Sequence, residues 1–185
     1  EHRDHAIALL RRAIAIEPGN ARAYFLLGQN LQQAGKIAEA AAVWKQSLQI
    51  DPNHGESLYA LFRALAASNP EESKAYGARF TDLKKQTQIV NRAETLSNFA
   101  IAAAAEKDWA KAISRLQEAL RICGDCVSQA DLRKNLGLIE CQAGDVQNGE
   151  RELRISLKDK PDDPDIRKAL KIIDDISDLR RAPVR

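Results

Sequence analysis

Apolar residues recur every three or four positions through most of this chain, the spacing that places them on one face of an α-helix. Pro, Gly, Asn and Asp residues between these segments indicate where the helices end. The predicted helices are 3–17, 21–34, 37–50, 55–68, 70–88, 91–106, 109–122, 128–142, 146–159 and 164–180. The predicted fold class is therefore all-α.

One predicted boundary lacks a stop signal. Between Glu71 and Glu106 the chain contains Gly77 but no proline, and no Asn-Gly or Asp-Gly pair. The repeat pattern described next requires the chain to reverse near Gln88–Arg92, which predicts two helices. One long helix through this segment is the alternative hypothesis.

The helical pattern repeats with a fixed period, since Pro18 and Pro52 stand 34 residues apart. The same step relates other pairs, namely Ala6 and Ala40, Leu10 and Trp44, Ile16 and Ile50, Leu27 and Leu61, and Leu31 and Leu65. A fixed period of this length predicts a stack of antiparallel helix pairs, in which each unit contacts its neighbours.

The best-matched unit spans 21–54. With Ala21 as its first position, small residues stand at positions 8 and 20, and a proline stands at position 32. The matching residues are Leu27, Gly28, Leu31, Gly35, Ala40, Trp44 and Pro52. This unit resembles the tetratricopeptide repeat. In that family the small residues let two helices approach closely, and the proline ends the second helix because it has no N–H donor.

The resemblance extends over nearly the whole chain and implies a single solenoid domain, 1–185, with right-handed superhelical stacking. It implies about four and a half repeats, as a partial repeat at 1–20 and repeats at 21–54, 55–92, 93–129 and 130–163. Residues 164–180 are predicted to be a capping helix, because a stack needs a final helix with one polar face. Its predicted apolar positions are Ile166, Ala169, Leu170, Ile173 and Ile176.

The third repeat departs from the family pattern. Phe62 replaces the small residue, and the second helix is displaced to begin at Asn69-Pro70. Tyr76, Phe80 and Leu83 are predicted to form the apolar face of this helix.

Composition and charge argue against some partner classes and against a membrane span. A net charge of +2 gives no field that indicates nucleic acid or an anionic membrane as a partner. The longest apolar run, 99–105, is far shorter than the roughly 20 residues of a spanning helix, so no membrane span is expected. Because the chain opens inside a predicted helix and contains no Met, we expect it to be a fragment of a larger protein.

No catalytic or cofactor motif is present. The sequence has no HExxH, no phosphate-cradling glycine loop and no GxSxG. His2 and His5 could share a helix face, but no carboxylate or cysteine follows at ligand spacing. We therefore expect no enzyme activity, no cofactor and no metal.

Cys123 and Cys126 form a CxxC pair, the one motif in the sequence whose side chains are suited to disulfide or redox chemistry. Cys141 would lie about 22 Å from Cys126 along a helix, whereas a disulfide needs Cα atoms within about 7 Å. Three hypotheses remain for the pair: a local structural disulfide, two unpaired thiols, or a working redox dithiol. A disulfide would favour an extracytoplasmic compartment, and nothing else in the sequence indicates a compartment.

In tetratricopeptide proteins the first helix of each unit lines a concave face, and the resemblance implies which residues would contact a partner. These are Arg22, Phe25, Gln29, Tyr59, Arg63, Asn98, Lys134 and Asn135. Aromatic, amide and charged groups together suit a peptide or a partner helix. The alternative for Phe25 and Tyr59 is that they pack against the next helix. The family's carboxylate clamp is not expected, because only Asn98 matches its pattern.

The sequence therefore predicts a non-catalytic scaffold that binds a protein or peptide, with self-association as a further partner class. One alternative is a thiol-active or disulfide-containing extracytoplasmic protein that uses Cys123 and Cys126. A helical-repeat nucleic-acid binder is the other alternative, but such proteins need a basic stripe. The concave positions instead balance basic and acidic residues, namely Arg22, Arg63 and Lys134 against Glu56, Glu94 and Asp131.

Overall fold

The computed structural model describes residues 2–181, with side chains for residues 3–178. These residues form nine α-helices and no strand, which confirms the all-α fold class. The helices are α1 (His2–Ile16), α2 (Ala21–Gln33), α3 (Ile37–Ile50), α4 (Gly55–Leu65), α5 (Pro70–Ala105), α6 (Trp109–Cys123), α7 (Gln129–Gln142), α8 (Val146–Asp159) and α9 (Pro164–Arg181).

Eight of these helices begin and end within three residues of their predicted bounds, and several of their termini carry capping groups. The side chains of Asn20, Asp108 and Asp145 each accept a hydrogen bond from a backbone N–H in the first turn that follows. Gly35 and Gly144 follow α2 and α7 with φ values of 78° and 96°, in the left-handed region that favours glycine.

The predicted reversal near Gln88–Arg92 is wrong, and the alternative of one long helix is confirmed. α5 runs without a break through this segment. The physical reason is local, because no glycine or proline lies between Leu83 and Ala105. The β-branched and amide residues there cost a helix at most about 0.7 kcal/mol each, which does not end it.

The chain divides into two compact units, Glu1–Lys85 and Gln86–Arg185, and α5 contributes residues to both. The assignment of the whole chain to one solenoid domain with the repeat boundaries given above remains a prediction. No described helix has both the length and the apolarity that a membrane span requires.

Unit 1 is built on an apolar core between α2, α3 and α4. Its fully buried large side chains are Leu31, Trp44, Leu58 and Leu61. The N-terminal part of α5 covers this core with Tyr76, Phe80 and Leu83, which confirms the predicted apolar face. The displaced helix therefore still packs as the second helix of its pair.

Two glycines in unit 1 allow close helix approach. A Cβ atom on Gly28 would lie 2.6 Å from Cδ1 of Trp44, and one on Gly77 would lie 2.9 Å from Cδ2 of Phe62. Phe62 stands where the family has a small residue, and the missing space is supplied by Gly77 on the opposite helix. The large and small residues have thus exchanged helices.

Unit 2 contains two apolar clusters. Fully buried Ala100, Ala112 and Leu116 belong to the first, which joins α5, α6 and α7. α9 closes the second by packing its inner face, including Ile166, against Leu153 of α8. Of the five predicted apolar positions of α9, Ile166, Leu170 and Ile173 are buried and Ala169 is half-buried.

Ile176 is the exception, because it is 46% exposed and lies outside the cluster. Its assignment to the inner face of α9 is therefore wrong. The period of 3.6 residues carries position 176 about 60° beyond position 173 around the helix, away from α8.

The same buried hydrogen bond recurs in two helix pairs. Ser47 in α3 donates its hydroxyl to the carbonyl of Ala21 in α2 at 2.9 Å. Ser156 in α8 donates to the carbonyl of Ala130 in α7 at 2.7 Å. Both serines are fully buried, so each hydroxyl satisfies a polar group that water does not reach. Equivalent residues therefore make equivalent contacts in the α2–α3 and α7–α8 pairs.

Candidate functional site

A groove of about 540 Å³ opens in unit 1 along α2 and α4, and the N-terminal part of α5 supplies another side. Its lining residues are Phe25, Gln29, Gln32, Trp44, Glu56, Tyr59, Ala60, Arg63 and Phe80. We call this site the aromatic groove. Four of the predicted partner-binding residues meet here, since helical spacing places Phe25 with Gln29 and Tyr59 with Arg63 on one face of their helices.

Phe25 forms the floor of the aromatic groove and is mainly a packing residue. It is only 6% exposed. Its ring centroid lies 5.4 Å from that of His54 and 5.3 Å from the guanidinium carbon of Arg22. Its carbonyl accepts a hydrogen bond from Nε1 of Trp44 at 3.1 Å. These contacts fix both the backbone and the ring of Phe25 in place.

Tyr59 and Arg63 stand at the open side of the aromatic groove. Tyr59 is 44% exposed, and its ring centroid lies 5.2 Å from that of Phe80 in a tilted arrangement. Arg63 is exposed and donates from Nη1 to the hydroxyl of Tyr59 at 3.3 Å. Aromatic contacts orient Tyr59 from within the protein, yet a large part of its surface remains available to a partner.

Charge is distributed unevenly around the aromatic groove. Arg22 and Glu56 form an ion pair at its rim, and both side chains are about half exposed. A hydrogen bond from its own backbone N–H lowers the pKa of Glu56, and the nearby His54 and Arg22 lower it further. Arg63, by contrast, has no carboxylate partner among the described residues. The groove therefore offers one unpaired positive charge beside its aromatic walls.

His54 has a role that the sequence did not reveal. Its Nδ1 accepts a hydrogen bond from the N–H of Ser57 at 3.3 Å, so it caps the start of α4. The same ring packs against Phe25. His54 thus fixes the helix that carries Tyr59 and Arg63 relative to the groove floor.

Three further predicted site residues, Asn98, Lys134 and Asn135, lie in unit 2 and do not contribute to the aromatic groove. Asn98 is exposed on α5. Asn135 donates from Nδ2 to the hydroxyl of Ser97 at 3.1 Å. It also lines a second groove of about 410 Å³, together with Ile101, Ala104, Ala105, Leu138, Ile139 and Gln142.

Lys134 is occupied by an intramolecular ion pair. Its Nζ lies 3.0 Å from Oδ2 of Asp163 at the start of α9. The hydrogen bond to Asp163 raises the pKa of Lys134, and the same bond lowers the pKa of Asp163. A partner would have to compete with Asp163, so the first role of Lys134 is to tie α7 to α9.

Cys123 and Cys126 are joined by a disulfide, with Cα atoms 5.0 Å apart. The loop between them turns at Gly124, whose φ is 55°, and Gln129 donates from Nε2 to the Gly124 carbonyl at 2.8 Å. Of the three hypotheses for this pair, the structure therefore contains the bonded form. Cys141 is a free, half-buried thiol, and burial raises its pKa.

The described side chains include no group of three or more His, Cys, Asp or Glu residues that could hold a metal ion. The His2 side chain lies outside the described residues, so the suggested pairing of His2 with His5 stays untested. The polar groups of the aromatic groove are a guanidinium, amides, a tyrosine hydroxyl and a carboxylate that already has a cationic partner.

Comparisons with known proteins support the sequence resemblance. The tetratricopeptide repeat family matches residues 21–54. No curated protein matches the chain significantly. Among solved structures, MamA is 16% identical over 85% of this chain and 82% of its own, with a TM-score of 0.43. YrrB, described as a TPR protein with an unusual peptide-binding site, is 17% identical over 88% and 97%, with a TM-score of 0.39.

PilF from Pseudomonas aeruginosa is 21% identical over 92% of this chain and 68% of its own, with a TM-score of 0.39. The match to the family itself covers α2 and α3, where Gly28 meets Trp44 at close range. Residues 21–54 therefore match the tetratricopeptide repeat family, which confirms the resemblance for this segment of the sequence.

Proposed function

We propose that the protein is a non-catalytic scaffold that holds a peptide, or an extended segment of a partner protein, in the aromatic groove. Tetratricopeptide repeats are typical of protein-interaction scaffolds. The observation that carries the proposal is the exposed pair Tyr59 and Arg63 beside a groove with aromatic walls. Tyrosine and arginine are the residue types that most often supply interface energy when they are central to a contact.

The lining of the aromatic groove suggests what such a segment would carry. Tyr59 and Phe80 would contact an apolar or aromatic side chain, which loses its water on binding. Gln29 and Gln32 offer amide donors and acceptors for the backbone of an extended peptide. Arg63 would pair with a carboxylate or a backbone carbonyl. We therefore expect a neutral or acidic segment with one large apolar residue.

The proposal is non-catalytic because the groove lacks an activated nucleophile. Its only carboxylate, Glu56, is paired with Arg22, and its only hydroxyl, on Tyr59, accepts from Arg63. The Tyr59 hydroxyl contacts a guanidinium, which cannot accept a proton as the general base of nucleophilic catalysis must.

Binding is tested by capturing partners from a lysate of the source organism on immobilised protein and comparing variants. Tyr59→Ala and Arg63→Ala should each reduce the captured partner, and the double variant should abolish its capture. Loss of a central tyrosine or arginine costs about 2 kcal/mol or more, which is roughly a 30-fold loss of affinity.

Matched controls separate a site effect from a general effect of removing surface groups. Arg12→Ala removes an exposed guanidinium from α1, and Gln46→Ala shortens an exposed side chain on α3. Both controls should retain the partner. Capture that is unchanged in the double variant, with its helix content intact by circular dichroism, would mean that the aromatic groove is not the binding surface.

The disulfide supports a second proposal, that the protein works outside the cytoplasm. Disulfides persist in oxidising compartments and are rare where thiols are kept reduced. Protein isolated from its source cells and alkylated under denaturing conditions, before any reductant is added, should carry a label at Cys141 and none at Cys123 or Cys126. Labelling of all three cysteines would contradict this proposal without affecting the groove proposal.

A further inference from the structure

α9 carries a second apolar stripe in addition to the one that packs against α8. Ile172 and Ile176 are 49% and 46% exposed, four residues apart on the outer face of the helix. Residues at this spacing are neighbours on a helix surface. A helix that only closed a stack would be polar on this face, so these two isoleucines call for another explanation.

Charged residues beside this stripe follow a pattern along α9. Lys168 lies one turn before Ile172, and Asp175 lies nearly one turn after it. The two charges are seven residues apart and therefore stand on the same edge of the stripe. Both side chains are exposed and pair with no other described residue. This edge of the stripe thus carries the positive charge of Lys168 before Ile172 and the negative charge of Asp175 after it.

We propose that this outer face of α9 binds a second copy of the same chain, with the two helices antiparallel about a two-fold axis near Ile172. A two-fold axis makes every contact reciprocal. It brings the two Ile172 side chains together at the centre. Lys168 of each copy then meets Asp175 of the other, so both ion pairs form at once.

Other arrangements fit the same surface less well. A parallel pair about a two-fold axis would place the charged edges of the two helices on opposite sides of the interface, so Lys168 of one copy could not meet Asp175 of the other. A different protein could cover the two isoleucines, but it would need the opposite charge order along its own helix. A second copy of α9 that runs antiparallel already presents the charges in that order.

The interface is small, which determines the strength of the association. One pair of helices buries less than the roughly 1,200 Å² of a stable interface, so the dimer should be weak and depend on concentration. Antiparallel ion pairs at its edge would fix the register more than they add affinity, since exposed pairs contribute about 0–1 kcal/mol each.

Sedimentation equilibrium of the whole chain, from about 10 µM to about 1 mM, measures this association in the affinity range of a weak complex. The wild type should pass from monomer to dimer and no further. Ile172→Asp should stay monomeric throughout, because two charges would meet at the axis. Ile37→Asp, which changes an isoleucine that is 41% exposed on α3, should dimerise as the wild type does.

Charge reversal tests the antiparallel register itself. Lys168→Asp and Asp175→Lys should each weaken the dimer by about 10-fold, because the axis doubles the effect of each change. The double reversal should restore wild-type association. A wild type that stays monomeric at the highest concentration would overturn the proposal. A double reversal that fails to restore the dimer, with helix content unchanged by circular dichroism, would also overturn it.

Discussion

Replacing Gly28 by alanine should destabilise unit 1, although alanine is the better helix former. The new Cβ would lie 2.6 Å from Cδ1 of Trp44. That indole is fully buried, and its Nε1 donates to the carbonyl of Phe25 at 3.1 Å. Trp44 therefore cannot move aside without losing its hydrogen bond and disturbing the core around it.

Three contributions decide the size of the effect. The gain in helix propensity from glycine to alanine is about 1 kcal/mol. Overpacking a dense core costs about 1–3 kcal/mol, and a strained or lost hydrogen bond costs about 1 kcal/mol more. The variant should therefore lose about 1–3 kcal/mol of unfolding free energy. Gly28→Leu should lose more, because a whole side chain would have to enter the same space.

Urea denaturation followed by the fluorescence of Trp44 measures this loss. A Trp109→Phe background leaves Trp44 as the remaining tryptophan, since the chain has two. Gly55→Ala is the control, because its Cβ would lie 3.5 Å from Cδ2 of Leu83, an ordinary contact distance. The control should match the wild type or exceed it slightly. If Gly28→Ala is as stable as the control, the close approach of α2 and α3 does not limit this unit.

Three further perturbations test the polar groups and the end of the fold. Glu140→Gln should raise the thermal midpoint at pH 7, and the gain should shrink towards pH 4. Burial raises the pKa of Glu140 and its Oε2 has no hydrogen-bond partner, so the folded state favours the protonated form and loses stability as pH rises through that pKa. Asp163→Ala should cost about 1–2 kcal/mol, because Asp163 caps α9 as well as pairing with Lys134. The pKa of Asp163 is lowered in the folded state, so its contribution to the free energy of unfolding is present above the ordinary pKa of an aspartate. That contribution is lost as pH falls through the lowered pKa. Urea midpoints measured across pH for the wild type and Asp163→Ala report both the loss of stability and its pH dependence. Deleting 164–185 should leave the other helices formed but cause aggregation, seen by light scattering, because it exposes the cluster around Leu153.

The helix order could be predicted because the local signals were strong. Apolar periodicity and the capping residues Asn20, Asp108 and Asp145 specify most helix ends without reference to the rest of the chain. α5 could not be predicted in the same way. The repeat register favours a break at Gln88–Arg92, whereas the residues there contain no stop signal, so the helix continues.

Helical spacing alone predicts part of the lining of the aromatic groove. Tyr59 and Arg63 lie four residues apart, so a shared face was predictable. The contributions of Trp44 and Phe80 were not, because they depend on how α3 and the displaced α5 pack against α4. The roles of His54 could not be predicted either, because its capping bond and its contact with Phe25 arise from the folded turn.

In the proposed function, the aromatic groove receives a segment of a partner protein. Site-specific photocrosslinking tests it directly, with p-benzoylphenylalanine in place of Gln29, which lines the groove, or of Gln46, an exposed glutamine on α3. Irradiation in the source cells should give a discrete crosslinked species for position 29 and none for position 46. Crosslinking at position 46 alone, or equally at both positions, would contradict the claim.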